Sequence, residues 1–172
     1  MHVRRRMIGR VLLAGAAVIA CGGLAVAAAP VQAGAVSCAA VAHEIGGSGA
    51  KAVVHRLFNT PDNRDWERLL DQVESGRPEC VRLAKALRPG TDAASGETLN
   101  IALSRALETN PSEVLALGDE VFAINRICQD NNIEPTPEQH RNFMRRARVA
   151  LSQVRAPALV ARRDACLRSL GQ

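Results

Sequence analysis

The chain has few aromatic residues, since only 2% of its 172 residues are Phe, Trp or Tyr. It has no tyrosine, one tryptophan and three phenylalanines. Sugars and single-stranded nucleic acids are commonly bound by stacking on aromatic rings, so this shortage disfavours both classes of ligand. The single tryptophan, Trp66, lies in an apolar stripe and is predicted to be a core residue.

The chain also lacks the motifs of common catalytic and metal sites. The histidines at positions 43, 55 and 140 belong to no HExxH or HxxxH pattern, and neither a GxSxG nucleophile elbow nor a GK[ST] phosphate loop occurs. The polar run that starts at Asp130 has Pro135 where a calcium loop requires glycine. The sequence therefore predicts no enzymatic activity, no metal and no cofactor.

The first 33 residues have the pattern of an export signal. Arginines within residues 4–10 precede an uncharged apolar block over 11–29, and Val31 and Ala33 supply the small residues of a cleavage site. The predicted organisation is a signal peptide over 1–33 followed by one helical domain over 34–172.

A second processing site competes with cleavage after Ala33. Residues 18–21, Val-Ile-Ala-Cys, fit the pattern of a lipobox, in which Cys21 would carry lipid and become the new N-terminus. The apolar block also approaches the length of about 20 residues that a membrane-spanning helix needs, so an uncleaved anchor is a third alternative. Contact with a membrane is otherwise expected only if Cys21 is lipidated.

The basic charge of the chain comes largely from the export signal. This segment carries four of the 22 Lys and Arg residues and none of the 17 acidic residues. Without it the chain is nearly neutral, although the full sequence has a pI of about 9.4. The pI is therefore no sign of nucleic-acid binding, and no nucleic-acid partner is predicted.

Four cysteines remain beyond the signal: Cys38, Cys80, Cys128 and Cys166. An even number in an exported protein predicts two disulfides. The four are about 40 residues apart without any CxxC pair, which disfavours zinc. Three pairings are possible, and we favour Cys38 with Cys80 and Cys128 with Cys166, which would tie the first and last helices to the middle of the chain.

Apolar residues recur at helical spacing through most of the chain, and strand patterns are almost absent. Trp66, Leu69, Leu70 and Val73 form one such stripe. The Gly-rich run 46–49 is predicted to be a turn between helices. Helices are predicted over 62–74, from Pro78 to the Pro89-Gly90 break, around 99–106, from Pro111, over 119–128, from Pro137 and over 157–170.

The helical pattern repeats weakly at an offset of 33 residues. Trp66 corresponds to Leu99, and Pro78 corresponds to Pro111. Helix pairs of about this length are typical of α-solenoids. The predicted fold class is therefore all-α, with short antiparallel helix pairs in a solenoid-like, HEAT-like arrangement stapled by two disulfides; the alternative is a chance echo in a helical chain.

A polar loop over 129–136 separates Cys128 from a strong helix start, where Thr136 and Gln139 fit a capping box. Asn131, Asn132 and Glu134 in this loop are candidate interaction residues if a disulfide holds the loop rigid. A proline-stiffened connector is the alternative.

Arginines recur at helical spacing after this loop. Arg141, Arg145 and Arg148 are candidates for a cationic face that meets an acidic partner or anionic lipid. The alternative is a solvated face in a chain whose basic residues are nearly all arginine.

Several turns and caps together resemble those of a group of small exported bacterial helical proteins of unknown function. The resemblance covers about residues 60–170 and brings no activity with it. It implies the pairing of Cys128 with Cys166 and leaves Cys80 outside the shared pattern. The segments that carry it are 66–87, 89–92, 110–111, 133–138 and 164–166.

These features predict a periplasmic or secreted helical protein that acts by contact with another envelope protein. An inhibitor or immunity-type role, in which the protein neutralises a periplasmic enzyme or toxin, fits the size, the export signal and the disulfides. One alternative is an outer-membrane lipoprotein adaptor lipidated at Cys21. Another is an envelope hydrolase, for which the spacing of the histidines gives no acid-base pair.

Overall fold

The computed structural model describes residues 36–118 and 120–171, and every regular element in these residues is helical. The predictions made for 1–33 and for Cys21 lie outside them. Short 3-10 segments at Pro61–Asn63, Arg88–Gly90 and Pro157–Leu159 join some of the helices. The α-helices are α1 (Cys38–Ser48), α2 (Ala50–Phe58), α3 (Arg64–Glu74), α4 (Pro78–Leu87), α5 (Ala93–Ala106), α6 (Pro111–Leu115), α7 (Ile124–Ile127), α8 (Pro137–Ser152) and α9 (Val160–Ser169).

The core is built on the apolar stripe of α3. Trp66, Leu69 and Val73 are fully buried, and α3 packs against α5 through this face. The indole Nε1 of Trp66 donates to Thr98 Oγ1 at 2.9 Å, so the polar atom of the largest core side chain has a partner. Trp66 is therefore a core residue, as the sequence predicted.

Two disulfides staple the fold, and both join the predicted pairs. Cys38 on α1 bonds to Cys80 on α4, and Cys128, just after α7, bonds to Cys166 on α9. All four cysteines are at most 2% exposed. Buried structural disulfides are typical of proteins in oxidising, non-cytoplasmic compartments, so the all-α, two-disulfide fold agrees with a non-cytoplasmic location.

The prediction of a helix over 119–128 is wrong. Only Ile124–Ile127 is helical there, and Gly118, with a φ of +92°, ends the preceding turn. Phe122 is buried under the Arg88 guanidinium, which lies 5.2 Å from the ring centroid. The apolar pair Val121 and Phe122 is adjacent in sequence rather than spaced by three or four residues, so it fits an irregular turn better than a helix.

The turn predicted over 46–49 is also largely wrong. Gly46, Gly47 and Ser48 continue α1, and only Gly49 leaves the helix, with a φ of +79°. A positive φ is readily adopted by glycine, so one residue is enough to separate α1 from α2. The predicted glycine turn is thus reduced to one residue.

None of the helices within residues 36–118 and 120–171 has both the length and the apolar character needed to cross a bilayer. The shortest, α6 and α7, have five and four residues. The longest, α8, has 16 residues and carries arginines along its exposed faces.

Candidate interaction surface

The loop over 129–136 is fixed at both ends. The Cys128–Cys166 disulfide holds its start against α9, and the hydroxyl of Ser104 on α5 donates to the carbonyl of Gln129. Its end is the capping box that the sequence predicted: Gln139 N donates to Thr136 Oγ1 at 3.2 Å, and Thr136 N donates to Gln139 Oε1 at 2.8 Å. The sequence thus located the loop and its helix start correctly.

Two of the predicted interaction residues hold the loop together from inside. Asn131 Nδ2 donates to the Arg126 carbonyl at 2.7 Å. Asn132 N donates to Asp130 Oδ1 at 3.1 Å, and Asn132 Oδ1 accepts from Arg105 Nε at 2.8 Å. Because these amides are used within the protein, Asn131 and Asn132 shape the surface and are less available to a partner.

The tip of the loop presents Ile133, which lies within the predicted interaction loop but was not among its candidate interaction residues. Ile133 is 81% exposed, the most exposed large hydrophobic side chain of the described residues. Glu134, also exposed, has a φ of +48°, so the chain turns sharply at the tip before Pro135. The signal available in the sequence was a lone isoleucine between Asn132 and Glu134 in an otherwise polar run.

Ile133 lies at the edge of a cleft of about 680 Å³ between α3, α5, the loop and α8. The carboxylates of Glu67 and Asp71 on α3 line it and make no hydrogen bond or ion pair within the described part of the chain. Two ion pairs cross or flank the cleft, one between Glu74 and Arg105 at 3.0 Å and one between Glu108 and Arg146.

These two ion pairs connect separate elements. Arg105 contacts Glu74 of α3 and Asn132 of the loop at the same time. Arg146 of α8 makes two hydrogen bonds to the Glu108 carboxylate, which raises the pKa of the guanidinium further above its ordinary value. Exposed ion pairs contribute little stability each, so their main effect here is to set the position of the loop and α8 beside the cleft.

The predicted arginines do not lie on this cleft. Arg141, Arg145 and Arg148 line a separate groove of about 540 Å³ on another side of α8, beside the end of α9. The six predicted interaction residues therefore belong to two surfaces. The loop residues form one beside the cleft, and the arginines form the other.

One pairing between an imidazole and a carboxylate was not predicted. His140 Nδ1 lies 2.8 Å from Asp130 Oδ2, which is almost completely buried. Asp130 is the only side chain that bonds to this imidazole among the described residues, so no hydroxyl or thiol of these residues is hydrogen-bonded to it. Within residues 36–118 and 120–171, no group of three or more His, Cys, Asp or Glu side chains has a geometry that could hold a metal ion.

Comparisons with protein-family models, with curated proteins and with solved structures find no match to this chain. The functional hypothesis therefore rests on the loop, the cleft and the arginine-lined groove.

Proposed function

We propose that this protein is exported and acts by binding another protein of the cell envelope through the loop at Ile133, in an inhibitor or immunity-type role. The observation that carries the proposal is the 81% exposure of Ile133 at the tip of a loop fixed by a disulfide and by hydrogen bonds.

A large apolar side chain on a rigid loop is suited to binding. Interfaces are commonly anchored by a few side chains that fill pockets of the partner. Rigidity matters because a preorganised loop loses little conformational entropy when it binds. The bonds of Asn132 to Asp130 and Arg105 reduce that entropy before any partner arrives.

The charge around Ile133 indicates the chemistry of the partner surface. Glu67 and Asp71 lie in the cleft without basic partners in the described part of the chain, and Glu134 is exposed next to Ile133. We infer a partner surface with an apolar pocket flanked by basic groups, because complementary charge favours encounter and orientation.

Export to the periplasm or the exterior is part of the proposal. The signal pattern over 1–33 supports it, as do the two disulfides, which agree with an oxidising compartment. The 33-residue helical repeat is also retained as a proposal. It is supported by the packing of α3 on α5 and of α4 on α6, and by the place of Pro78 and Pro111 at the first turn of α4 and α6.

Site-specific photo-crosslinking in the producing cells tests the binding role. A benzophenone amino acid replaces Ile133 in one strain and Val149, which is 55% exposed on α8, in a matched control strain. We expect a discrete adduct with one envelope protein from position 133 and none from position 149. Co-expressed unlabelled protein should compete the adduct away, whereas an Ile133→Asp competitor should not.

Two results would contradict the proposed function. The first is the absence of any discrete adduct at position 133 under conditions in which the protein is folded and abundant. The second is the same set of adducts from positions 133 and 149, since this would show proximity without a defined interface.

A further inference from the structure

We infer that the arginine groove, defined by Arg141, Arg145, Arg148, Met144 and Leu170, binds an acidic segment of a partner protein that also carries apolar side chains. The groove lies between α8 and the end of α9, with a volume of about 540 Å³. It is separate from the loop and cleft to which the binding role is assigned above, so it is a second interaction surface.

The positive charge of the groove is not compensated within the described residues. Arg145 Nη2 donates to the neutral amide oxygen of Asn142 at 3.0 Å, and Arg148 Nη2 donates to the backbone carbonyl of Leu170. The Arg141 side chain makes no hydrogen bond or ion pair there. The contrast is Arg146, the neighbour of Arg145, which is bonded to the Glu108 carboxylate.

Acidic groups are scarce in the surrounding sequence as well. Asp164 is the only acidic residue over 139–172, and it is bonded to Arg163. Two carboxylates lie nearby: Asp130 is bonded to His140, which also lines the groove, and Glu138 precedes Arg141 by one helical turn. Neither is paired with the three groove arginines within the described residues, so these guanidinium groups remain available to a ligand. Complementary charge favours an anionic occupant.

The spacing of the arginines fits a run of carboxylates better than a single small anion. Positions 141, 145 and 148 lie on one side of α8 and span about 10 Å along its axis, at a rise of about 1.5 Å per residue. That length corresponds to about three residues of an extended segment. Several successive acidic residues could thus meet the three guanidinium groups.

The apolar residues of the groove favour a protein segment with apolar side chains over a ligand that offers charge alone. Met144 is partly buried and Leu170 is 1% exposed, and both line the groove. Met is a flexible, polarisable side chain that adapts to different apolar partners. Among the described residues, the two most exposed large hydrophobics are Ile133 and Val149, and both lie outside the groove. The described part of the groove therefore does not project the large apolar side chains with which a surface enters a bilayer.

Fluorescence anisotropy with a labelled peptide of glutamate and leucine tests this inference on the oxidised, purified protein. The comparison peptides replace glutamate by glutamine, or leucine by serine. We expect the glutamate-leucine peptide to bind most tightly, with affinity that decreases as salt is raised. The variant Met144→Ser should lower the affinity for this peptide and leave the affinity for the glutamate-serine peptide unchanged.

Charge variants locate the binding site. We expect R141Q/R145Q/R148Q to weaken binding about tenfold, because the energies of three modest contacts between exposed charges add up to about that factor in affinity. The matched control is K51Q/R64Q/R126Q, which removes the same charge from exposed residues on α2, α3 and α7 and should have a much smaller effect. R141Q alone should reduce affinity without any effect on folding, because its side chain has no bond to lose within the described residues.

Several outcomes would overturn the inference. Equal loss of binding in the two triple variants would show a general effect of net charge. Equal binding of the glutamine peptide would exclude carboxylate recognition. Binding to phosphatidylglycerol vesicles that requires Arg141, with no peptide binding, would show a membrane surface in place of a protein site. Ile133→Asp should leave peptide binding to the groove unchanged. A failure of the groove proposal can therefore be told apart from a failure of the binding role assigned to the loop.

Discussion

A single threonine determines where α8 begins. The Thr136 hydroxyl accepts from the N–H of Gln139, one of the N–H groups that the first turn of a helix leaves without a partner. Gln139 returns a bond to the N–H of Thr136, so both ends of this contact are satisfied. The same bonds end the loop that carries Ile133, which makes the cap relevant to binding as well as to stability.

Replacing Thr136 by alanine should lower the free energy of unfolding by about 1 kcal/mol, because the cap bond is lost while the helix remains. Urea unfolding followed by circular dichroism measures this change. Thr136→Ser, which keeps the hydroxyl, should cost only a fraction as much. Equal losses in the two variants would show that the methyl group of Thr136, and not its hydroxyl, accounts for the effect.

Asp92 caps α5 and predicts a dependence of stability on pH. Hydrogen bonds from the hydroxyl and the N–H of Ser95 hold the pKa of the Asp92 carboxyl below its ordinary value of about 3.8. Because this pKa is lower in the folded protein, the stabilisation is present above about pH 4 and is lost as the pH falls through the folded-state value.

The comparison of wild type with Asp92→Asn isolates this effect from the other carboxyls. We expect the difference in unfolding free energy between them to be largest at neutral pH and to shrink below about pH 4. Chemical unfolding at several pH values measures it. A difference that stays constant down to about pH 2.5 would show that the charge of Asp92 contributes nothing to the cap.

The roles of some residues could be predicted from the sequence, and those of others could not. Thr136 was predictable because Thr-x-x-Gln is a known capping pattern. The box of Asp92 was missed because its partner is Ser95 rather than Glu or Gln. Ile133 was missed because exposure depends on how the loop is held, and the bonds that hold it come from Ser104 and Arg105 on a distant helix.

At the scale of helices, close approach of backbones fixes the position of α2. A Cβ added to Gly90 would lie 2.6 Å from Lys51 N and even closer to the carbonyl group of Ala50. Backbone atoms at the start of a helix cannot move aside independently. Gly90 is therefore required by packing between the 3-10 turn Arg88–Gly90 and α2, although its φ is not positive.

Two glycine substitutions should act in opposite directions. Gly90→Ala should destabilise the protein by about 1–3 kcal/mol, the usual range for overpacking. Gly47→Ala, in α1 with nothing within 4 Å of the added Cβ, should stabilise it by about 0.5–1 kcal/mol. Thermal unfolding of both variants measures this; an equally stable Gly90→Ala would show that α2 is not held by this contact.

Helices with regular apolar spacing were predictable, and those set by tertiary packing were not. The stripe of α3 and the proline starts of α4 and α6 gave their positions closely. The helix predicted over 120–123 is absent because the burial of Phe122 beneath Arg88 determines the backbone there, and this contact joins distant parts of the chain. The turn predicted at 46–48 was wrong because helix α1 continues through residues that have weak helix propensity.

At the scale of the whole molecule, each disulfide stabilises a different part of the fold. Cys38–Cys80 joins α1 to α4, whereas Cys128–Cys166 fixes the base of the loop to α9. The sequence favoured these pairings because they tie the first and last helices to the middle of the chain, and the structure confirms both. The cleft and the separation of the arginines from the loop could not be predicted, since they depend on how α8 packs against α6 and α9.

Removal of either disulfide should lower the free energy of unfolding by about 2–4 kcal/mol. The effect on the loop should differ between the two. We expect C128A/C166A to weaken the adduct formed at position 133, whereas C38A/C80A should leave it intact in the folded fraction. Equal weakening by both pairs at matched folded fractions would contradict a specific role of the Cys128–Cys166 bond in positioning the loop.

The central claim is that the protein is exported, with two disulfides that hold its loop in a binding conformation. Its most direct test is the intact mass of the protein purified from the envelope without reductant, after alkylation with and without reduction. We predict a chain that begins at Gly34, takes up no alkylating reagent before reduction and is alkylated on Cys38, Cys80, Cys128 and Cys166 afterwards. A full-length chain whose four cysteines are alkylated without reduction would contradict the claim, and a chain that begins at an acylated Cys21 would contradict cleavage after Ala33.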